Sequence, residues 1–150
     1  MNHNFDDMIK IIDDFSQNLE KLTDVQKEIV KAVGSDDLAM LAECMKKQQA
    51  LSLSVRNIDQ KRIKLQKDMG LGEIKLSELP QKVSDADMQI KIRKASERLT
   101  SQYKIMQGAC EISRSALECN LHKVEQYMEK MGVDPSQTST IAGVHTDFHA

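Results

Sequence analysis

The chain of 150 residues has no tryptophan, only three phenylalanines and two tyrosines, and just two prolines and six glycines. So few turn formers exclude a turn-rich sheet protein and favour long helices. Scarce aromatics leave the core to aliphatic side chains and to nine methionines, which fill irregular gaps and adapt to varied neighbours. No stretch nears the roughly 20 apolar residues that span a bilayer. The opening Asn4-Phe5-Asp6-Asp7 also lacks the basic and apolar regions of a signal peptide. A cytoplasmic protein without membrane insertion is expected.

A concentrated basic surface is missing as well. The net charge of -2 argues against nucleic acid as a partner, because phosphate neutralisation needs clustered cations. Two short basic clusters exist, Lys61, Arg62, Lys64 and Lys67, then Lys91, Arg93 and Lys94. Acids lie among both, so they read as solvated helix faces. Cys44, Cys110 and Cys119 are odd in number and unpaired in sequence. In a reducing cytosol they read as small buried hydrophobes rather than as a disulfide frame.

What the sequence does have is apolar spacing. Phe5, Met8, Ile12, Phe15, Leu19, Leu22, Gln26, Ile29 and Val33 step by three and four, a heptad seam with one polar member. Gly34 is expected to end this helix in the left-handed conformation, with Ser35 or Asp36 capping the next. The second seam is Leu41, Cys44, Gln48, Leu51, Val55, Ile58, Arg62, Leu65 and Met69, widened by Leu38, Met45 and Ile63. Gly70, Gly72 and Pro80 place a connection over 70–83, with a short turn around Leu76 and Leu79. Ser84, Asp85 and Asp87 supply capping oxygens for a third helix. Its seam runs Met88, Ile92, Ala95, Leu99, Gln102, Met106 and Ala109, then shifts to Ile112, Ala116 and Cys119 on one line and Leu117, Asn120, Val124, Tyr127 and Met131 on another, with a bend or close helix contact expected at Gly108.

These spacings predict an all-α protein, an antiparallel bundle of three long helices with coiled-coil-like packing and a flexible C-terminal tail. The expected helices cover about 4–33, 36–69 and 85–131 within one domain of residues 1–133, and the polar stretch 134–150 is the tail. Lengths then become informative. The first two helices would be roughly 45 to 52 Å long and the third roughly 70 Å. The third would overshoot the turn at Gly34, leaving Leu117, Leu121, Val124, Tyr127, Met128 and Met131 without an intrachain partner. An uncovered apolar face of that kind marks an interface. Ile141, Val144 and Phe148, the large apolar residues of the tail, are candidates for a cover that a partner displaces.

Catalytic and metal chemistry find little support. Cys119 with His122 and His145 with His149 are the only close histidine pairings, and neither comes with the remaining ligands of a closed zinc site. No Glu-x-x-His pair supports a di-iron bundle. Gly70 and Gly72 do not open a strand–loop–helix phosphate cradle. Cys110 and Cys119 sit inside a heptad helix whose amides are already bonded, which suits packing rather than nucleophilic catalysis. No enzyme activity, cofactor or metal is expected. Polar seam residues such as Gln26, Gln48, Arg62 and Asn120 are assigned to register.

One further pattern is carried by residues 36 to 79. Asp36-Asp37-Leu38 leads to Leu41, then come Lys46-Lys47-Gln48-Gln49-Ala50-Leu51, Asp59-Gln60-Lys61-Arg62 with Leu65, and Met69-Gly70-Leu71-Gly72 before Leu76 and Leu79. This resembles the FlgN-type flagellar export chaperones. The family's asparagine-rich start to the last helical segment is not matched, since Ile112, Ser113 and Arg114 stand there and only Asn120 remains. The resemblance implies a cytoplasmic chaperone that binds the C-terminal helical segments of hook-filament junction proteins and delivers them to the export apparatus, with contacts toward the C-terminal end. A monomer or weak dimer is expected. The alternative from another class is a self-associating coiled-coil adaptor without chaperone activity.

Overall fold

The computed structural model describes residues 2–132, and among them every regular element is helical. Helix α1 spans Asn2–Gly34 and α2 spans Leu38–Asp68; a 3-10 helix covers Leu76–Lys82, α3 runs Ala86–Cys119, and α4 runs Leu121–Met131. Five helical elements therefore stand where three were expected. The difference has two sources. The connection after α2 winds into the 3-10 helix, and the third long helix breaks at Asn120. The expected tail, 134–150, lies outside the described residues.

The α1–α2 turn departs from expectation in detail. Gly34 stays within α1, and the left-handed position is Asp36, with φ 54°; aspartate tolerates that region because its short polar side chain bonds locally. The cap of α2 is Asp37, whose carboxylate accepts the Met40 amide at 3.0 Å. Downstream, α2 ends as the sequence suggests: Gly70, at φ 76°, donates to Lys67 O, and the Leu71 amide turns back to Gln66 O at 3.0 Å. This paired closure requires a residue without Cβ strain at the left-handed position. Asp85 caps α3 by accepting the Asp87 amide at 3.2 Å.

Relative direction follows from cross-helix hydrogen bonds. Gln26 of α1 bonds Gln48 of α2, and Asn18, earlier in α1, bonds Ser54, later in α2, so the two helices run in opposite directions. Ser113 of α3 meets Gln26 and Lys123 of α4 meets Asp36, so α3 runs in the direction of α1. Helix α1 packs against both α2 and α3, and the 3-10 helix lies on α3.

Two apolar clusters result. The larger holds Met8, Ile12, Phe15, Leu19 and Leu22 of α1 against Val55 and Ile58 of α2, Leu76 and Leu79 of the 3-10 helix, and Met88 to Cys110 of α3. Each fully buried aliphatic contributes about 1.5–3 kcal/mol. The α3 seam differs from expectation past Leu99. Tyr103 and Cys110 are buried, whereas Gln102 and Ala109 are only half-buried. An α-helix turns once per 3.6 residues, so a strict seven-residue repeat drifts around it and the buried stripe steps over. Gly108 is exposed, nothing lies near the place a Cβ would take, and α3 passes through it unbroken. The expected bend is absent there.

Candidate partner-binding site

The six residues expected to form a free apolar surface do not form one. Val124 and Met128 are 4% and 1% exposed and belong to a second cluster with Val25, Ile29 and Ala32 of α1 and Leu41, Ala42, Cys44 and Met45 of α2. Leu117 and Tyr127 are half-buried against the same cluster, and only Leu121 and Met131, at 48% and 44%, are exposed. Ile141, Val144 and Phe148 lie outside the described residues.

The reason is a bend in place of an overhang. Because Ser113 lies beside Gln26, the end of α3 at Cys119 comes level with Ala32, close to the end of α1. Every residue beyond would project into water. At Asn120 (φ -125°, ψ 21°) the helix stops, and Leu117 O receives the Asn120 amide at 3.0 Å instead of the Leu121 amide. The ladder resumes with Val124 donating to Asn120 O at 3.0 Å. Interrupting a helix forfeits a few backbone bonds at about 1 kcal/mol each. Burying Val124 and Met128 returns about 1.5–3 kcal/mol apiece, so the bend is the better balance for a lone chain. Gly132, at φ 73°, then closes α4.

The candidate site is thus a groove on the α1–α2 hairpin, filled by α4. Leu121, Val124, Met128 and Met131 step by three and four along α4 and give it one apolar face. An ion pair between Lys123 Nζ and Asp36 Oδ1, 3.0 Å long, ties α4 to the hairpin turn. Both side chains are more than half exposed, and such a pair contributes little. Cys44 lies in the groove wall with its thiol 3.8 Å from Glu28 Oε2. Burial and then the Glu28 charge hold its pKa above the ordinary value.

Between the two clusters lies a polar layer that joins all three long helices. Gln26 Nε2 donates to Gln48 Oε1 at 2.7 Å, and the Ser113 hydroxyl donates to Gln26 Oε1. The seam spacing singled out Gln26 and Gln48; Ser113 carried no signal, because the α3 stripe had drifted. A second polar group lies in α2. Arg62, 2% exposed, bonds Asp59 through Nε at 2.9 Å and through a second nitrogen at 2.8 Å, and reaches Gln66 Oε1 at 2.6 Å. Of the first basic cluster only Lys61, Lys64 and Lys67 face solvent; Arg62 faces inward.

Apolar residues also remain outside both clusters. Leu53, Ile90, Ile105 and Ile112 are 49% exposed or more; the first three lie off the apolar seams, whereas Ile112, expected on a seam line, faces outward because the α3 stripe passes through Cys110 and Ser113 instead. Among the described residues no group of three or more His, Cys, Asp or Glu could hold a metal ion, and no helix is long and apolar enough to cross a membrane. His122 pairs with Gln126 at 3.2 Å. No protein-family model, curated protein or solved structure matches the chain.

Proposed function

We propose that this chain is a cytoplasmic, non-catalytic export chaperone of the FlgN type. Its three long helices form the antiparallel, coiled-coil-like frame, and it binds the C-terminal helical segments of hook-filament junction proteins before delivering them to the export apparatus. The observation that carries the reading is the groove of Val25, Ile29, Leu41 and Met45, already occupied by a short amphipathic helix. A surface that seats one such helix suits another in the helix-in-groove mode. The guest's apolar stripe takes the groove, α4 gives way, and no covalent step occurs. The quoted pattern between Asp36 and Leu79 supports the family, and the nine methionines support a surface that accepts more than one guest.

The test is co-purification with C-terminal segments of candidate junction proteins. Wild-type chain is expected to retain such a segment. Leu41→Glu, in the groove wall, is expected to lose it, with folding checked by circular dichroism. Val124→Asp with Met128→Asp, which frees the groove of its own helix, is expected to retain the guest at least as well as wild type. Failure of a folded wild-type chain to hold any junction segment, or capture unaffected by Leu41→Glu, sinks the proposal.

A further inference from the structure

The bend at Asn120 is not dictated by its own residues. No glycine or proline lies between Gly108 and Gly132, α4 has no side-chain cap, and the Asn120 side chain meets the end of α3 only through Nδ2 to Ala116 O at 3.5 Å, the outer limit of a hydrogen bond. The apolar stripe ignores the break. Leu117, Leu121, Val124, Met128 and Met131 follow one another by four, three, four and three, the register of a single uninterrupted helix. Leu121 belongs to that stripe and yet is 48% exposed in the bent form. What holds the bend is the groove, through Val124 and Met128.

A straight α3–α4 helix would carry the segment after Asn120 about 18 Å past the end of α1. From there it cannot reach its own groove, and the groove stands empty. The geometry points to a second copy of this chain as the occupant: we propose that two copies straighten at Asn120 and exchange α4, each seating Val124 and Met128 in the other's α1–α2 groove. The pairing is reciprocal and closes on itself. Every contact of α4 is regained between chains, including Lys123 with Asp36, and the helix bonds lost at the bend are recovered. Only the entropy of association opposes it, the usual balance for exchange of an identical element. The inference rests on the joint and the groove and does not depend on the identity of any guest.

Three measurements on the full chain test it. Sedimentation equilibrium is expected to show a concentration-dependent monomer–dimer equilibrium. Asn120→Ala, a better helix former, should favour the straight form about threefold per chain, raising the association constant about tenfold. Val124→Asp with Met128→Asp should abolish the dimer while circular dichroism shows the long helices retained. In a Cys44→Ala, Cys119→Ser background, Asp36→Cys chains mixed with Lys123→Cys chains and treated with a short bis-maleimide should give a covalent pair across the two populations, absent when either is treated alone. A chain that stays monomeric with Asn120→Ala overturns the proposal. So does a dimer that survives the double aspartate variant, or one in which the two populations never cross-link. A chain that exchanges α4 but captures no junction segment leaves this inference standing and removes only the chaperone reading.

Discussion

The two ends of the molecule use the same three-and-four spacing and hold together by different means. In the larger cluster α1 is clasped from both sides, with the 3-10 helix adding Leu76 and Leu79 and the buried Arg62–Asp59 pair nearby. In the smaller cluster one wall is the α1–α2 hairpin and the other is α4, an eleven-residue helix hung from a single non-helical residue. The Gln26–Gln48–Ser113 layer lies between them. Identical periodicity thus leads us to expect one end that opens only when the fold opens and another that releases a single element.

The widest predicted separation uses the cysteines, one in each setting. Cys119 is exposed, Cys44 lies in the smaller cluster and Cys110 in the larger. A thiol reagent in native buffer is expected to modify Cys119 at once, Cys44 at the rate at which α4 releases, and Cys110 only through global unfolding. The first and last should differ by more than about a thousandfold, given ordinary domain stabilities. Peptide mass analysis over time measures this, and Val124→Asp should accelerate Cys44 alone. Equal protection of Cys44 and Cys110 would erase the distinction between the two ends.

Arg62→Met should cost about 3–5 kcal/mol, because it removes the guanidinium that balances the buried Asp59 carboxylate. Urea denaturation followed by circular dichroism reads it as a shift of the whole transition, since the pair is part of the cooperative end. Arg62→Met with Asp59→Leu should recover much of the loss. Should the double variant be no better than the single one, the buried charge is not the cause.

Gln48→Ala is a smaller perturbation placed at the boundary. It leaves the Gln26 amide without its acceptor, a loss of about 1–3 kcal/mol. Gln26→Leu, Gln48→Leu and Ser113→Ala together join the two apolar clusters and should be near neutral in urea. Hydrogen exchange across 121–131 should then slow in the triple variant, because the two ends no longer open separately. Faster exchange there would assign the layer a supporting role rather than a dividing one.

Most of the frame was legible from spacing. The predicted spans 4–33, 36–69 and 85–131 meet the observed helices within a few residues except at Asn120, and Asp85, Leu76 and Leu79 act where the sequence placed them. The bend was not legible, because Asn120 is an ordinary helix residue and the stripe runs through it; what breaks the helix is a groove formed by residues some eighty to a hundred positions earlier. Helix lengths reveal the excess of helix after α3, but that excess does not stay in water, because Val25, Ile29, Leu41 and Met45 receive it. Ser113 and Asp59 were missed for a related reason. Their burial depends on how the helices turn about their axes, and a strict heptad reading of each helix alone does not include that rotation.

The smallest predicted effect appears only in alkali and belongs to the larger cluster. Burial raises Tyr103 from 10.0 to about 12 and Cys110 from 9.0 to about 12. Both are acids that the folded chain keeps protonated while the unfolded chain releases the proton. Their contribution is therefore complete below pH 9 and is lost as the pH rises from there toward 12. The urea midpoint should be level from pH 7 to near 9 and fall beyond it, and Cys110→Ala should move the onset of that fall upward toward the tyrosine range. Cys44, raised in the same direction, sits where α4 can release, so its ionisation is expected to loosen 121–131 in hydrogen exchange before the midpoint responds. A midpoint that holds level to pH 11, or a Cys44 effect that arrives only with global unfolding, would mean that the two ends respond to alkali as one.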